Sequence, residues 1–274
     1  MKRLSVLVLT IGFLLAGCDG LPFPSTSSSH QLFPNNNNFV TTMQATSITD
    51  SANVIKTLTD VPIRVGYGVR GPWFELYFTD PVNPMGRQIT GGLDGPLVAG
   101  IDSARLSVDI AIYSLNLGSI RDALIRAFRR GVQVRVVMES DNMDSVIPQS
   151  LIHAGIPVLG DRREGLMHNK FVVIDRADTW TGSMNYTKEG VYEDNNNMIC
   201  IHSVKVAEDY ETEFNEMFVD DKFGPTMGAA TPNPRVTMDG TPLDIYFSPT
   251  TALKQPWLIF WTMLKEVFIF LLIR

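Results

Sequence analysis

Cysteine is nearly absent from this chain. Its 274 residues contain two, Cys18 and Cys200. Cys18 closes an N-terminal leader, so Cys200 has no second cysteine for an internal disulfide. The apolar run Met198, Ile199, Cys200, Ile201 reads as a buried strand with an inert thiol. Histidine is scarce as well, being confined to His30, His153, His168 and His202. No second His, Cys or carboxylate stands at ligand spacing near His168, so no metal site and no cofactor are expected there. Positive charge is short: 23 Lys and Arg face 29 Asp and Glu, a net −6. No global basic field gathers nucleic acid. Residues 257–274 are strongly apolar, but Lys265 and Glu266 interrupt a stretch that barely reaches membrane-spanning length.

What is present begins with a leader. Lys2 and Arg3 precede an apolar run from Leu4 to Leu15, and Leu15-Ala16-Gly17-Cys18 ends it with small residues. These four positions resemble the lipobox of bacterial lipoproteins. The resemblance implies that residues 1–17 are a removed signal peptide and that Cys18 is lipidated. The protein is then held in the cell envelope, outside the cytoplasmic membrane. Residues 18–60 hold a serine-threonine cluster, four consecutive asparagines and several prolines. That composition does not build a core and reads as a flexible tether, His30 included.

Order is expected from Val61. The composition, 45% hydrophobic and 19% charged, suits a globular domain. Residues 73–78 read as an aromatic strand, and Pro96, Leu97, Val98 and Ile101 as a helix. Leu106, Val108, Ile110 and Ile112 alternate, which predicts a strand with one buried face. Ile120, Leu124, Ile125 and Phe128 recur at helical spacing up to Gly131. A strand over 132–138, a helix through Ile147, Leu151 and Ile152 (with His153 structural at its end) and a short strand over 156–159 follow. Such alternation predicts an α/β sheet with helices on both faces. Arg121, Arg126, Arg129, Arg130 and Arg135 read as a solvated helix face rather than an anion patch. Strand 195–201 and an amphipathic helix through Ala207, Tyr210, Phe214, Met217 and Phe218 complete the unit. Residues 223–242, rich in Pro, Gly and Thr, read as a linker.

The centre of the chain is residues 166–175 followed by 181–187. They predict a strand, a turn and a second short strand presenting His168, Lys170, Ser183 and Asn185 together. A neutral imidazole is a nucleophile and a general base near neutral pH. Lys170 would supply positive charge to phosphate oxygens, and Ser183 and Asn185 neutral donors. Gly182 allows a tight approach.

The pattern His168-x-Lys170-x4-Asp175-x6-Gly182-Ser183-x-Asn185 resembles the signature of the phospholipase D superfamily. The resemblance implies a metal-independent, two-step phosphodiester exchange through a phosphohistidine. His168 is then nucleophile or general acid/base. Lys170, Ser183 and Asn185 bind phosphate, and Asp175 supports the site rather than acting directly. A later acidic residue that hydrogen-bonds the histidine in some members maps onto Glu193, or is replaced by Asn196.

The family's site needs two such motifs, and this sequence has one. Residues 243–249 echo residues 74–80 at an offset of 169 positions, which suggests a second repeat that restarts and is cut short. The expected layout is therefore a phospholipase D-like domain over 61–222, a linker over 223–242 and a truncated second repeat over 243–274. The leading functional expectation is a phospholipid phosphodiesterase whose site is completed in a homodimer. The alternatives are an endonuclease of the same superfamily acting on DNA or RNA, and a catalytically incomplete surface lipoprotein.

Overall fold

A computed structural model describes residues 58–163, 165–228 and 231–247. The leader, nearly all of the tether and the apolar segment 257–274 lie outside these described residues. Among the described residues no helix is long and apolar enough to cross a membrane.

Eleven strands and five α-helices are described. The strands are β1 (Thr59–Asp60), β2 (Tyr67–Arg70), β3 (Phe74–Phe78), β4 (Ser107–Ile112), β5 (Gln133–Met138), β6 (Val158–Gly160), β7 (Lys170–Ile174), β8 (Asp178–Gly182), β9 (Asn197–His202), β10 (Arg235–Met238) and β11 (Thr241–Asp244). The helices are α1 (Asp94–Ser103), α2 (Gly118–Arg129), α3 (Val146–His153), α4 (Lys188–Tyr192) and α5 (Val204–Phe218). Nine strands form one sheet in the order β1-β2-β3-β9-β8-β7-β4-β5-β6. The pairs β4–β5 and β5–β6 are parallel and the rest antiparallel. The parallel pairs are joined through α2 and α3, as crossover connections require.

Helices cover both faces, as the alternating pattern predicts. Gly100 of α1 sits against Ile174 and Trp180 on one face. On the other, Tyr210 of α5 meets the Phe171 ring edge-on at 5.1 Å. Ile120, Ala123, Leu124 and Ala127 line the buried side of α2, three and four residues apart. Gly131, at φ +88°, ends that helix in a conformation that favours glycine.

Strand β4 departs from the one-faced expectation, since all its residues are buried. It lies inside the sheet between β7 and β5, with helices above and below. Its charged residue Asp109 is buried because Arg135 of β5 grips it through two bonds, Nε–Oδ1 2.6 Å and Nη2–Oδ2 2.8 Å. That guanidinium lies over the Phe214 and Phe218 rings at 4.9 and 5.2 Å. Arg135 therefore leaves the expected solvated cluster and is largely covered, with 14% of its side chain exposed. Arg126 and Arg130, by contrast, pair with Asp102 at the surface.

Residues 223–242 hold more structure than their composition suggests. β10 and β11 form a hairpin, and Val236, Leu243, Ile245 and Phe247 are buried. Phe247 stands edge-on to Tyr210 of α5 at 5.0 Å. Alternating apolar residues give this segment one greasy face, which it buries. Over the described residues 243–247, the likeness to 74–78 does not extend to pairing. β3 joins the large sheet, whereas β11 pairs with β10 in a sheet of two strands.

Candidate active site at one edge of the sheet

The register collects the chemistry at one end of the sheet. Ile112, the last residue of β4, pairs with Lys170, the first of β7. Gly182, the last of β8, pairs with Met198 near the start of β9. The residues just beyond these positions are therefore neighbours. This is also the C-terminal end of the parallel strands β4 and β5, where open α/β sheets place ligands.

Lys170 is buried, with 5% of its surface exposed. Its Nζ donates to the His168 carbonyl oxygen at 3.0 Å and lies 5.5 Å from the centre of the Tyr113 ring. Among the described residues no carboxylate forms an ion pair with it. Burial alone pulls its pKa down to about 8. The half-buried His168 ring meets the same Tyr113 edge-on, with centroids 4.9 Å apart. Tyr113 N–H in turn donates to the Asn169 carbonyl at 3.0 Å, fixing the motif segment beside β4.

Ser183 and Asn185 follow β8 at the same edge. Gly182 is at φ +155°, and a Cβ there would strike Asn197 O and Met198 Cα, so no larger residue fits. Ser183 Oγ donates to Asn196 Oδ1 at 2.9 Å and accepts from Asn197 N–H at 3.1 Å. Asn185 Oδ1 is buried without a hydrogen-bond partner among the described residues. The loop is clamped from β4, because Tyr186 N–H donates to Ser114 O and its carbonyl accepts from Asn116 and Leu117.

Asn196, not Glu193, meets this group. Its Nδ2 donates to Gly190 O at 2.8 Å while Oδ1 holds Ser183. Glu193 is exposed and pairs with Lys188 at 2.7 Å, so its assignment to the site is corrected. The short helix α4 ends just before it and turns its side chain outward.

Asp175 is corrected as well. It lies at the opposite end of β7 from Lys170, in the turn to β8. Asp175 and Arg176 have φ +54° and +56°, and Ala177 N–H closes the turn on Ile174 O at 3.1 Å. Such hairpin turns favour Asp, Asn and Gly. The carboxylate accepts from three backbone amides, Arg105, Leu106 and Ser107, at 2.7–3.1 Å. It fastens the β7–β8 turn to the start of β4. We expect Asp175→Ala to lower unfolding free energy by about 2–4 kcal/mol. Urea denaturation reads this directly. Turnover per folded molecule should stay near wild type, and a selective loss of turnover would return Asp175 to the chemistry.

Sequence reading missed three groups. Tyr113 follows β4 and touches both His168 and Lys170. Glu139 follows β5, is buried, and accepts from Met167 N–H at 2.7 Å, one residue before His168. Burial raises its pKa. Glu213 of α5 is buried behind Asn169, and burial pushes its pKa up to about 8. The available signal was position: Tyr113 and Glu139 are polar residues just past the ends of apolar parallel strands.

A family model described as cardiolipin synthase, PLD-like domain, matches residues 97–218. Residues 97–218 thus form a phospholipase D-like domain. A phospholipase D of Rickettsia felis is 35% identical over 112 residues, 40% of this chain and 56% of that protein. The mitochondrial cardiolipin hydrolase of Xenopus laevis is 29% identical over 124 residues, 44% of this chain and 59% of that protein. The chain thus spans a little over half the length of these relatives. Among solved structures, Nuc of Salmonella typhimurium, a phospholipase D family member, aligns with a TM-score of 0.45 and 24% identity. That alignment covers 52% of this chain and 91% of Nuc. Within the phospholipase D-like domain, His168, Lys170, Ser183 and Asn185 are the motif residues that gather at one edge, and Asp175 is the one that does not.

Proposed function

We propose that this protein is a phosphodiesterase that cleaves phospholipid diesters at the His168 edge. One observation carries the reading: a buried lysine without a carboxylate partner among the described residues, set beside His168. Such an ammonium is poorly stabilised until an anion arrives, and a phosphate diester is an anion of suitable size. The names of the curated relatives, phospholipase D and cardiolipin hydrolase, support a lipid substrate. The net charge of −6 favours it over a polynucleotide.

In this proposal the His168 imidazole attacks phosphorus, the P–O bond to the leaving alcohol breaks, and a phosphohistidine forms. Lys170 offsets the charge of the non-bridging oxygens, and the Asn185 amide nitrogen donates a hydrogen bond to them. Ser183, oriented by Asn196, adds a hydroxyl to the same group. A second histidine protonates the leaving alkoxide and then draws a proton from water, which attacks the phosphohistidine and restores His168. One motif supplies one histidine, so a second copy of the chain brings the other across a twofold axis. The lipobox-like leader fits a lipid anchor at Cys18 that keeps the domain at a membrane outside the cytoplasm.

The test is size-exclusion of the purified protein, with each fraction assayed on a chromogenic diester, on phosphatidyl lipid vesicles and on single-stranded DNA. Activity on the chromogenic and lipid diesters confined to the dimer fits the proposal. Cleavage of DNA alone assigns the site to nucleic acid, and a folded chain inert at every size means the second histidine is missing.

A further inference from the structure

The far ends of β8 and β9 bring a second set of groups together, away from the His168 edge. Asp178 opens β8 and pairs in register with His202, the last residue of β9. Cys200 lies two positions before His202, so both point to one face. Asp178 Oδ1 stands 2.8 Å from His202 Nδ1, and Cys200 Sγ stands 3.9 Å from the same nitrogen. The three ligand atoms all lie within 4.8 Å of one another. Behind the ring, Glu75 Oε1 is 3.9 Å from His202 Nε2.

We propose that Asp178, Cys200 and His202 bind a zinc ion, or another thiophilic divalent cation, with water in the fourth position. The size is right. The three ligand atoms stand within 4.8 Å of one another, which leaves room for one small ion between them at the ~2.0–2.3 Å of zinc bonds after modest side-chain rotation. The ligand types are right too, since thiolate and imidazole select zinc over magnesium or calcium. Charge also agrees. Arg70 is paired with Glu75 at 2.6 Å, which leaves Asp178 and the Cys200 thiolate to balance a dication. The thiol gives its proton to water as the metal–sulfur bond forms. Access exists from one side only. The Asp178 and His202 side chains are 42% and 41% exposed, whereas Cys200 is fully buried beneath them.

This site lies on the order of 15 Å from the phosphodiester edge, the length of β8. The ion would clip β8 to β9 and take no part in phosphoryl transfer. The experiment uses metal-free, full-length protein in mild detergent. Titration with zinc should saturate at one ion per chain and raise the thermal midpoint by several degrees. Cobalt in place of zinc should give the near-ultraviolet thiolate-to-cobalt absorption that reports sulfur ligation. His202→Gln, at an exposed position, should keep the fold and weaken zinc binding at least tenfold. Chelation should lower the thermal midpoint and leave diester turnover, measured well below that midpoint, unchanged. The proposal falls if zinc does not saturate at one site, if the cobalt complex lacks the thiolate band, or if His202→Gln binds zinc as tightly as wild type.

Discussion

Replacing His168 with alanine is expected to lower diester turnover by about four orders of magnitude or more. The thermal midpoint should move by only a few degrees, because the ring is half-buried and meets Tyr113 edge-on. Loss of an edge-on aromatic contact costs about 0.5–1.5 kcal/mol. Initial rates on a chromogenic diester, read beside a melting curve, separate chemistry from folding. The same variant tests whether two chains share a site. If each turnover needs His168 from both copies, a mixed dimer of variant and wild type is inactive. An equal mixture after subunit exchange should then retain about one quarter of the wild-type rate, against one half for independent sites. Full turnover by the variant alone would place the nucleophile elsewhere.

The sequence exposed the fold where spacing and burial coincide. Ile120, Leu124 and the glycine at 131 define α2 with no help from the rest of the chain. It failed where burial is decided at long range. Alternation at Leu106, Val108, Ile110 and Ile112 suggests one wet face, yet Asp109 is buried because Arg135, 26 residues on, pairs with it. The site divides the same way. His168 and Lys170 are legible because one motif carries both, and Ser183 and Asn185 come just after the adjacent strand of the same hairpin. Asp175 belongs to that motif by spacing, but five strand residues carry it to the other end of the sheet. Spacing reports that a residue is required and not what it touches. Glu193 and Asn196 are separated by three positions, and only the turn after α4 decides which one faces Ser183. Tyr113 and Glu139 come from other strands, and no local pattern ties them to His168.

Lys170→Met is expected to have two opposite effects, and their opposition is the signature of a site built for an anion. Turnover should fall by about 10²–10⁴, the scale seen when a transition-state donor is removed. Stability at pH 7 should rise by about 1–3 kcal/mol. Burial depresses the Lys170 pKa from 10.5 to about 8, so the folded protein holds this proton less tightly than the unfolded chain does. A depression of that size corresponds to about 3 kcal/mol working against folding. Methionine removes this burden but also gives up the bond to His168 O and the contact with Tyr113, hence the smaller net gain. The sign fixes the pH window. The burden is fully present below about pH 8 and is relieved as pH climbs toward 10.5, because there the unfolded chain binds more protons. Urea denaturation should therefore show the variant ahead of wild type at pH 7, with the gap closing by pH 10. For wild type, kcat/KM should decline above about pH 8 as Lys170 loses its charge, since that ratio reports ionisation of the free enzyme. Bound phosphate should raise the lysine pKa and stabilise wild type more than the variant. A methionine variant no more stable than wild type at pH 7 would mean that the ammonium already has a compensating partner. The case for an anion site at this edge would then be lost.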